Sequence, residues 1–272
     1  MLAWEPWASR GRAVYPNLRE YVVDLHVHTV LSPCGGLDMG APDIVEQAVA
    51  SGIECLAVTD HNSCGNVRAV TQAAKGKPLR VLPGLEVQTE EDIHVVTVFP
   101  DLDAAESFQN WLRKGFLDIF NDSEIFGEQL YVDEENNILG EEKILLVHGV
   151  QYSVNQVIDE THYHGGFAVL AHVDRASFSY VSVLGDIPED LPADGVELSR
   201  RLSPREAREW IPRLPRRTVV RSSDSHSLKS LKKENCSRML LEEPSFEEIL
   251  LALREKEGRK VLWPWEESHG KT

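Results

Sequence analysis

From residue 21 the chain alternates short β-branched runs with stretches whose apolar residues recur every three or four positions. In order these are YVVDLHVH, PDIVEQAVASG, IECLAVTDH, NVRAVTQAAKG and LRVLPGLEV. A buried strand is apolar along its length or at every second position, whereas a helix is apolar along one stripe, so the segments read strand, helix, strand, helix, strand. That order predicts a parallel sheet or barrel. Pro42 in the first turn and Gly52 just past the end bracket the first helix. After IHVVTVF the pattern changes. Residues 101 to about 165 carry a helical stretch with Phe108, Leu112 and Phe116, then QLYVDEENNILG, which reads as a hairpin around Glu135 and Asn136. Phe116 and Phe120, four apart, read as the buried face of a helix. FAVLAHV, DGVELS and TVVRSSDSH resume the alternation, followed by RMLLEE, an amphipathic FEEILLALREK and KVLW. The expected organisation is an N-terminal arm over residues 1–20 and one α/β barrel domain over 21–272, with a helical and hairpin insertion at about 101–165.

The length of 272 residues suits one such barrel, since α/β barrels form single domains of about 250 residues. Asp and Glu outnumber Lys and Arg by 44 to 28, a balance of −16 that disfavours a broad nucleic-acid coat. An anionic substrate then needs a local positive centre, from metal ions or an arginine. The cysteines Cys34, Cys55, Cys64 and Cys236 form no disulfide framework in a chain of this size, and no secretory or membrane-spanning apolar run is visible. The expectation is a cytoplasmic protein without a membrane span.

The histidines change the picture most. His26 and His28 lie two apart on a predicted strand, so both project from one face, where they can bind one ion or neighbouring ions. Val22, Val23, Leu25 and Val27 place them at the carboxyl end of a buried strand, the end where barrel enzymes keep their chemistry. Later strands repeat the placement with Asp60 and His61, Glu86, His94, His172, and Asp224 with His226. A ring of imidazoles and carboxylates is a ligand set for Zn²⁺, Mn²⁺ or Fe²⁺. Asp60 is expected to orient a ligand histidine or support its loop rather than bind metal. His162 and His164 end a helical pattern, His148 reads as a packed or turn residue and His269 lies in the tail, so these four stay outside the set. Arg175, with Arg200 or Arg201, is a candidate phosphate clamp, because guanidinium offers a bidentate fork.

The segments DLHVHTVLSPCGG, AVTDHN, PGLEV, AHVDR and SSDSH, in that order over residues 24–226, resemble the PHP superfamily, the polymerase and histidinol phosphatase type of metal-dependent phosphoesterase. HTVLSPCG and AHVDRASFS are similar to one bacterial branch of it. The resemblance implies a distorted (β/α)7 TIM-like barrel with two or three divalent ions, Zn, Mn or Fe, at the carboxyl ends of the strands. It implies that His26, His28, Glu86 and Asp224 form one site and the catalytic core, that Glu86 bridges to a second ion held by His94 and His172, and that His61 and His226 serve a third. The family's remaining third-site ligand falls, by loop length, on Cys34, which is either a thiolate ligand or a small turn residue; Asp38 is the oxygen alternative. The implied activity is hydrolysis of phosphate esters by a metal-bound hydroxide. The expected substrate is a small phosphomonoester, a nucleotide or sugar phosphate. The alternatives are a 3′–5′ exonuclease on short single-stranded nucleic acid and a metal-binding regulator without catalysis.

Overall fold

The computed structural model describes residues 17–214 and 217–262. Most of the expected N-terminal arm and His269 therefore lie outside the described residues. The strands are β1 (Arg19–Val27), β2 (Cys55–Val58), β3 (Arg80–Gln88), β4 (His94–Val98), β5 (Leu130–Val132), β6 (Ile138–Glu141), β7 (Phe167–Leu170), β8 (Gly195–Leu198), β9 (Thr218–Arg221), β10 (Ser237–Leu241) and β11 (Lys260–Leu262). The helices are α1 (Ala41–Ser51), α2 (Val67–Ala73), α3 (Leu102–Leu112), α4 (Ser123–Phe126), α5 (Val154–Tyr163), α6 (Tyr180–Leu184), α7 (Pro204–Trp210) and α8 (Phe246–Leu253).

The main sheet runs β11-β10-β1-β2-β3-β4-β7-β8-β9. Beyond β9 the chain returns to β1: His28 donates its N–H to the Ser225 carbonyl (3.0 Å) and Ser225 to that of His26 (3.3 Å). The ring of β1, β2, β3, β4, β7, β8 and β9 is thus a nearly closed barrel, the α/β fold that the alternation predicts. Within this ring one strand departs from the parallel expectation, β4, which is antiparallel to both β3 and β7; outside the ring β10 is antiparallel to β1 and to β11. Only residues 89–93 join β3 to β4, too few for a helical crossover, so the chain must turn back on itself as a hairpin. The turn is closed by Thr89 N–H on the Ile93 carbonyl at 2.9 Å. Consequently β4 begins at the barrel end where the parallel strands finish.

Two apolar layers sandwich the strands. Val23, Leu25, Cys55, Ala57, Leu82, Val96, Val98, Phe167, Val169 and Val220 share the inner cluster, which α8 and β10 join through Ile249 and Met239. Leu56, Val58, Leu85, Val87, Ala168, Leu170 and Val196 face outward onto residues of α1, α2, α3 and α5 such as Ile44, Val70, Phe108 and Val157. The helix signals act as expected: Pro42 is at the start of α1, and Gly52 ends it with a left-handed φ of 76° that returns its N–H to Ala48 and Val49. Ser153 and Gln156 form a capping box on α5, which ends at His164.

Within residues 101–165, α3 packs on β3 and α5 on β4 and β7, as barrel helices do. Between them β5 and β6 pair as the expected hairpin. Asn62, at the end of β2, donates to the carbonyls of Leu146 (2.7 Å) and His148 (2.9 Å), tying this segment to the functional end of the barrel. Phe116 and Phe120 do not share a buried helical face. The helix ends before them, Phe120 bridges Ile144 in extended backbone, and its ring is 71% exposed. Four residues of spacing carried a helical reading past a helix that had already stopped. All four cysteines are free, and no helix among the described residues is long and apolar enough to cross a membrane.

Candidate metal centre

Period-two alternation delivers the polar side chains to the barrel's inside. Leu82 faces inward, and so does Glu86 two pleats later; Val98 and Val96 face inward, and so does His94; Ala57 leads to His61 in the same way. β1 needs an extra device, because Val23 and Leu25 are inner and Val27 outer, which would send His26 outward. The β1–β2 register shifts between Asp24 and Val27, and that irregularity turns His26 and His28 onto the inner face. His172 and Asp224 carry positive φ values of 28° and 45°, left-handed backbone that a non-glycine residue adopts only when its surroundings enforce it.

These residues converge on one carboxylate. Glu86 lies within 2.8 Å of His94 Nδ1, 3.1 Å of His26 Nε2 and of His61 Nδ1, 3.2 Å of His172 Nε2 and 3.3 Å of His28 Nε2. Asp224 Oδ1 stands 3.5, 3.4 and 3.4 Å from ring nitrogens of His26, His28 and His226. Three groups have donor atoms close enough to share an ion: His26, His28 and Glu86; His61, Glu86 and His94; and His28, His61 and His226. His26 Nε2, His28 Nε2, His61 Nδ1, His94 Nε2 and His172 Nδ1 are buried without a hydrogen-bond partner among the described residues. Buried polar atoms are normally satisfied, so a set of orphaned imidazole nitrogens around carboxylates fits divalent cations.

Charged and hydroxyl groups behind the ring set the histidine tautomers. Glu197, buried in β8, accepts from His26 Nδ1–H at 3.2 Å and from the backbone N–H of His172 at 3.2 Å. Ser32 Oγ–H is committed to Asp60 at 2.6 Å, so it accepts from His28 Nδ1–H at 2.9 Å. Both arrangements hold Nδ1 and turn Nε2 toward the site, where a cation that displaces the Nε2 proton would meet its lone pair. Asp60 also accepts from Thr29 N–H and Oγ–H, both at 2.7 Å, so it supports the His28 loop rather than entering the cluster. Asp24 accepts from Ser223 N–H (3.0 Å) and pins β9 to β1. Glu197 and Asp24 are absent from the residues singled out by sequence; the available signal was a lone carboxylate inside an apolar strand, GVEL or VVDLHV. Glu197→Gln is expected to weaken metal binding by about 10- to 100-fold with little change in fold. Competition with a chelator measures the affinity, and an unchanged value would remove Glu197 from the site.

Burial opposes charge on His26, but the carboxylates of Glu86, Glu197 and Asp224 outweigh it and hold this imidazole well above its usual value. His28 follows the same balance, burial against Asp224 and Glu86, and is raised to about 9. Burial dominates at His61 and His94, which are lowered, and at His226, lowered to about 4. Glu86 and Asp224 are held well below the carboxylate range because the surrounding imidazoles overcome their burial. A cation held by His26 and His28 would therefore have to displace their protons. His28, raised above its unfolded value, stabilises the metal-free protein below about pH 6.5 and loses that contribution as pH climbs through about 9. His61, His94 and His226 act oppositely, but only below about 6.5. Between pH 6.5 and 9, then, the metal-free melting temperature should fall while the increment on adding Mn²⁺ or Zn²⁺ grows. Thermal scans with and without metal check this, and an increment that shrinks over that window would contradict the proton displacement.

Of the remaining candidates, Arg175 is brought in. Its Nη2 pairs with Asp224 Oδ2, and its Nε is buried without a hydrogen-bond partner among the described residues. Arg200 is half-buried and Arg201 exposed, and no hydrogen bond or ion pair among the described residues joins either side chain to the cluster. Cys34 is exposed and stands outside the three candidate groups. Desolvation by the chain packed around the sulfur, added to by Glu86, Asp224 and Asp60, pushes its thiol up to about 12. Asp38 is also exposed and accepts from Leu228 N–H at 3.3 Å. His148 donates to the Gly149 carbonyl, His162 pairs with Asp194 and His164 with Glu160, all apart from the centre.

Residues 24–191 match the family model described as PHP domain. No curated protein matches the chain. Among solved structures the chain is similar to the lesion-specific endonuclease PfuEndoQ from Pyrococcus furiosus, at 16% identity and a TM-score of 0.63 over 89% of this chain and 58% of that one. It is similar to a protein inferred to be a metal-dependent phosphoesterase from Bifidobacterium adolescentis, at 20% identity and a TM-score of 0.54, covering 75% of this chain and 87% of that one. It is also similar to an amidohydrolase from Chromobacterium violaceum with bound sulfate, at 18% identity and a TM-score of 0.54, over 90% and 98% of the two chains. At these identities the likenesses establish the barrel fold. The chain spans 58% of the endonuclease it resembles.

Proposed function

The chain belongs to the PHP domain family, and on that premise we propose that it hydrolyses a small phosphomonoester, a nucleotide or sugar phosphate, with divalent cations bound in the histidine cluster. The observation that carries this reading is one buried carboxylate, Glu86, ringed by five imidazoles, each with a buried nitrogen that has no hydrogen-bond partner among the described residues. His26, His28, Glu86 and Asp224 would hold one ion, Glu86 with His94 and His172 a second, and His61 with His226 a third. Zn²⁺, Mn²⁺ and Fe²⁺ all suit a mixed nitrogen and oxygen set. Bound there, such ions supply Lewis acidity toward phosphate oxygens and lower the pKa of water. Imidazole ligands add no negative charge, so the loaded site is locally positive within a chain of net charge −16.

The protein's own groups do the positioning. Arg175 is fixed at the cluster by Asp224, and its unpartnered Nε offers a donor to a phosphate oxygen. Arg200, with its own buried and unpartnered Nε, is the second clamp candidate, at the end of β8. Glu197, Ser32 and Asp60 fix His26 and His28 so that little rearrangement accompanies the reaction. The acidic surface favours a small substrate over a long polyanion. Free cysteines suit a reducing cytoplasm.

A phosphate-release screen on metal-loaded protein over nucleotides, sugar phosphates and short single-stranded oligonucleotides tests the proposal. Release from a small monoester, abolished in His28→Ala, is the expected result. Nucleotides liberated from oligonucleotide ends instead would make it an exonuclease, and fully loaded but inert protein would point to a regulator.

A further inference from the structure

Beside the cluster sits an aromatic ring. Phe178 lies on the loop that follows His172. Its ring stacks on the imidazole of His94 with centroids 4.7 Å apart and planes 19° from parallel. One face is therefore against a candidate ligand, yet the residue remains 42% exposed. Its backbone is left-handed, with φ of 56°, a conformation that costs a bulky residue free energy and that glycine or asparagine would adopt more readily. The loop enforces it. His94 N–H donates to the Phe178 carbonyl at 3.0 Å, and the buried Ser179 donates to the Arg175 carbonyl at 2.7 Å while capping α6. A turn alone would not require an aromatic side chain at this position, and a core residue would not leave so much of it in water. What the strain secures is a flat apolar surface at the metal centre, three residues along the same loop from the guanidinium of Arg175.

We propose that Phe178 is the specificity-determining platform of the site, stacking a planar ring in the alcohol part of the phosphoester, so that nucleoside phosphates are preferred over sugar phosphates. The proposal deepens the phosphomonoesterase reading and rests on it for the identity of the reaction. Base-to-aromatic stacking tolerates different bases, because every base has a flat π-face, so the expected preference is for nucleosides as a class.

The test is binding of adenosine and of ribose to the metal-loaded protein, wild type, Phe178→Leu and Phe178→Trp, by calorimetric or NMR titration. Adenosine should bind the wild type well ahead of ribose. Phe178→Leu should weaken adenosine by about 5- to 150-fold, the worth of one stacked base, and leave metal content and melting temperature close to wild type. Phe178→Trp should restore the preference. Adenosine binding no tighter than ribose, or equally tight to wild type and Phe178→Leu, would overturn the proposal. Selective adenosine binding without phosphate release from AMP would keep the platform and reject the phosphatase reading, so the two failures are distinguishable.

Discussion

Glu86→Gln should lower phosphoester hydrolysis by about 10³-fold or more and strip the chain of most of its metal. Glu86 belongs to two of the three candidate ion groups, as His28 and His61 do, but it lies within 3.3 Å of ring nitrogens of five histidines, more than any other carboxylate among the described residues. Glutamine keeps the volume but removes the charge that offsets neighbouring cations, and an amide nitrogen can no longer ligate. A loss of about 4 kcal/mol in transition-state stabilisation corresponds to that factor, within the several kcal/mol that metal assistance supplies. The fold should survive, because Glu86 packs against imidazoles rather than the apolar layers. Steady-state kinetics with metal analysis checks the prediction; retained metal and a less than tenfold loss would mean that Glu86 does not join the ions.

Asp60→Ala is expected to cost about 3 kcal/mol of stability and to disable the His28 side of the centre. Its carboxylate accepts three buried hydrogen bonds, from Thr29 N–H, Thr29 Oγ and Ser32 Oγ. Each buried donor left unsatisfied costs about 1–3 kcal/mol, and relaxation of the loop keeps the sum below the maximum. Burial also raises the pKa of Asp60 against the pull of His28 and these hydrogen bonds, so removing the charge returns part of the loss. Ser32 meanwhile carries both His28 Nδ1 and the backbone N–H of His61 (3.1 Å), so the disturbance reaches two candidate ligands. Denaturant unfolding should show the destabilisation, and Ser32→Ala should share the metal defect with a smaller stability loss. A change below about 1 kcal/mol in Asp60→Ala would mean that the loop does not depend on it.

Much of this centre could be read in the sequence because its geometry is local. His26 and His28 announce themselves by spacing, and His61, Glu86, His172 and Asp224 by falling where apolar runs end. Even His94, at the start of a strand, belongs with them, since the short 89–93 connection reverses β4; what the alternation missed was that this reversal makes the strand antiparallel. Other features depend on contacts distant in sequence. Glu197 meets His26 across 171 positions, and Asp24 meets Ser223 across 199, so neither could be paired from spacing. The register shift in β1 and the left-handed backbone of Phe178 arise from how neighbouring strands and loops close, for which DLHVH and ASFS carry no local signal.

One carboxylate, Glu86, is proposed to organise a multi-ion phosphoesterase site. Elemental analysis of anaerobically purified wild type and Glu86→Gln, with phosphate release followed on the same samples, tests it most directly. Two or more divalent ions per wild-type chain are expected, with loss of most of them in the variant and phosphate release that falls with them. Wild-type protein that takes up no divalent metal even when it is supplied, or Glu86→Gln protein that keeps its ions and its activity, would contradict it.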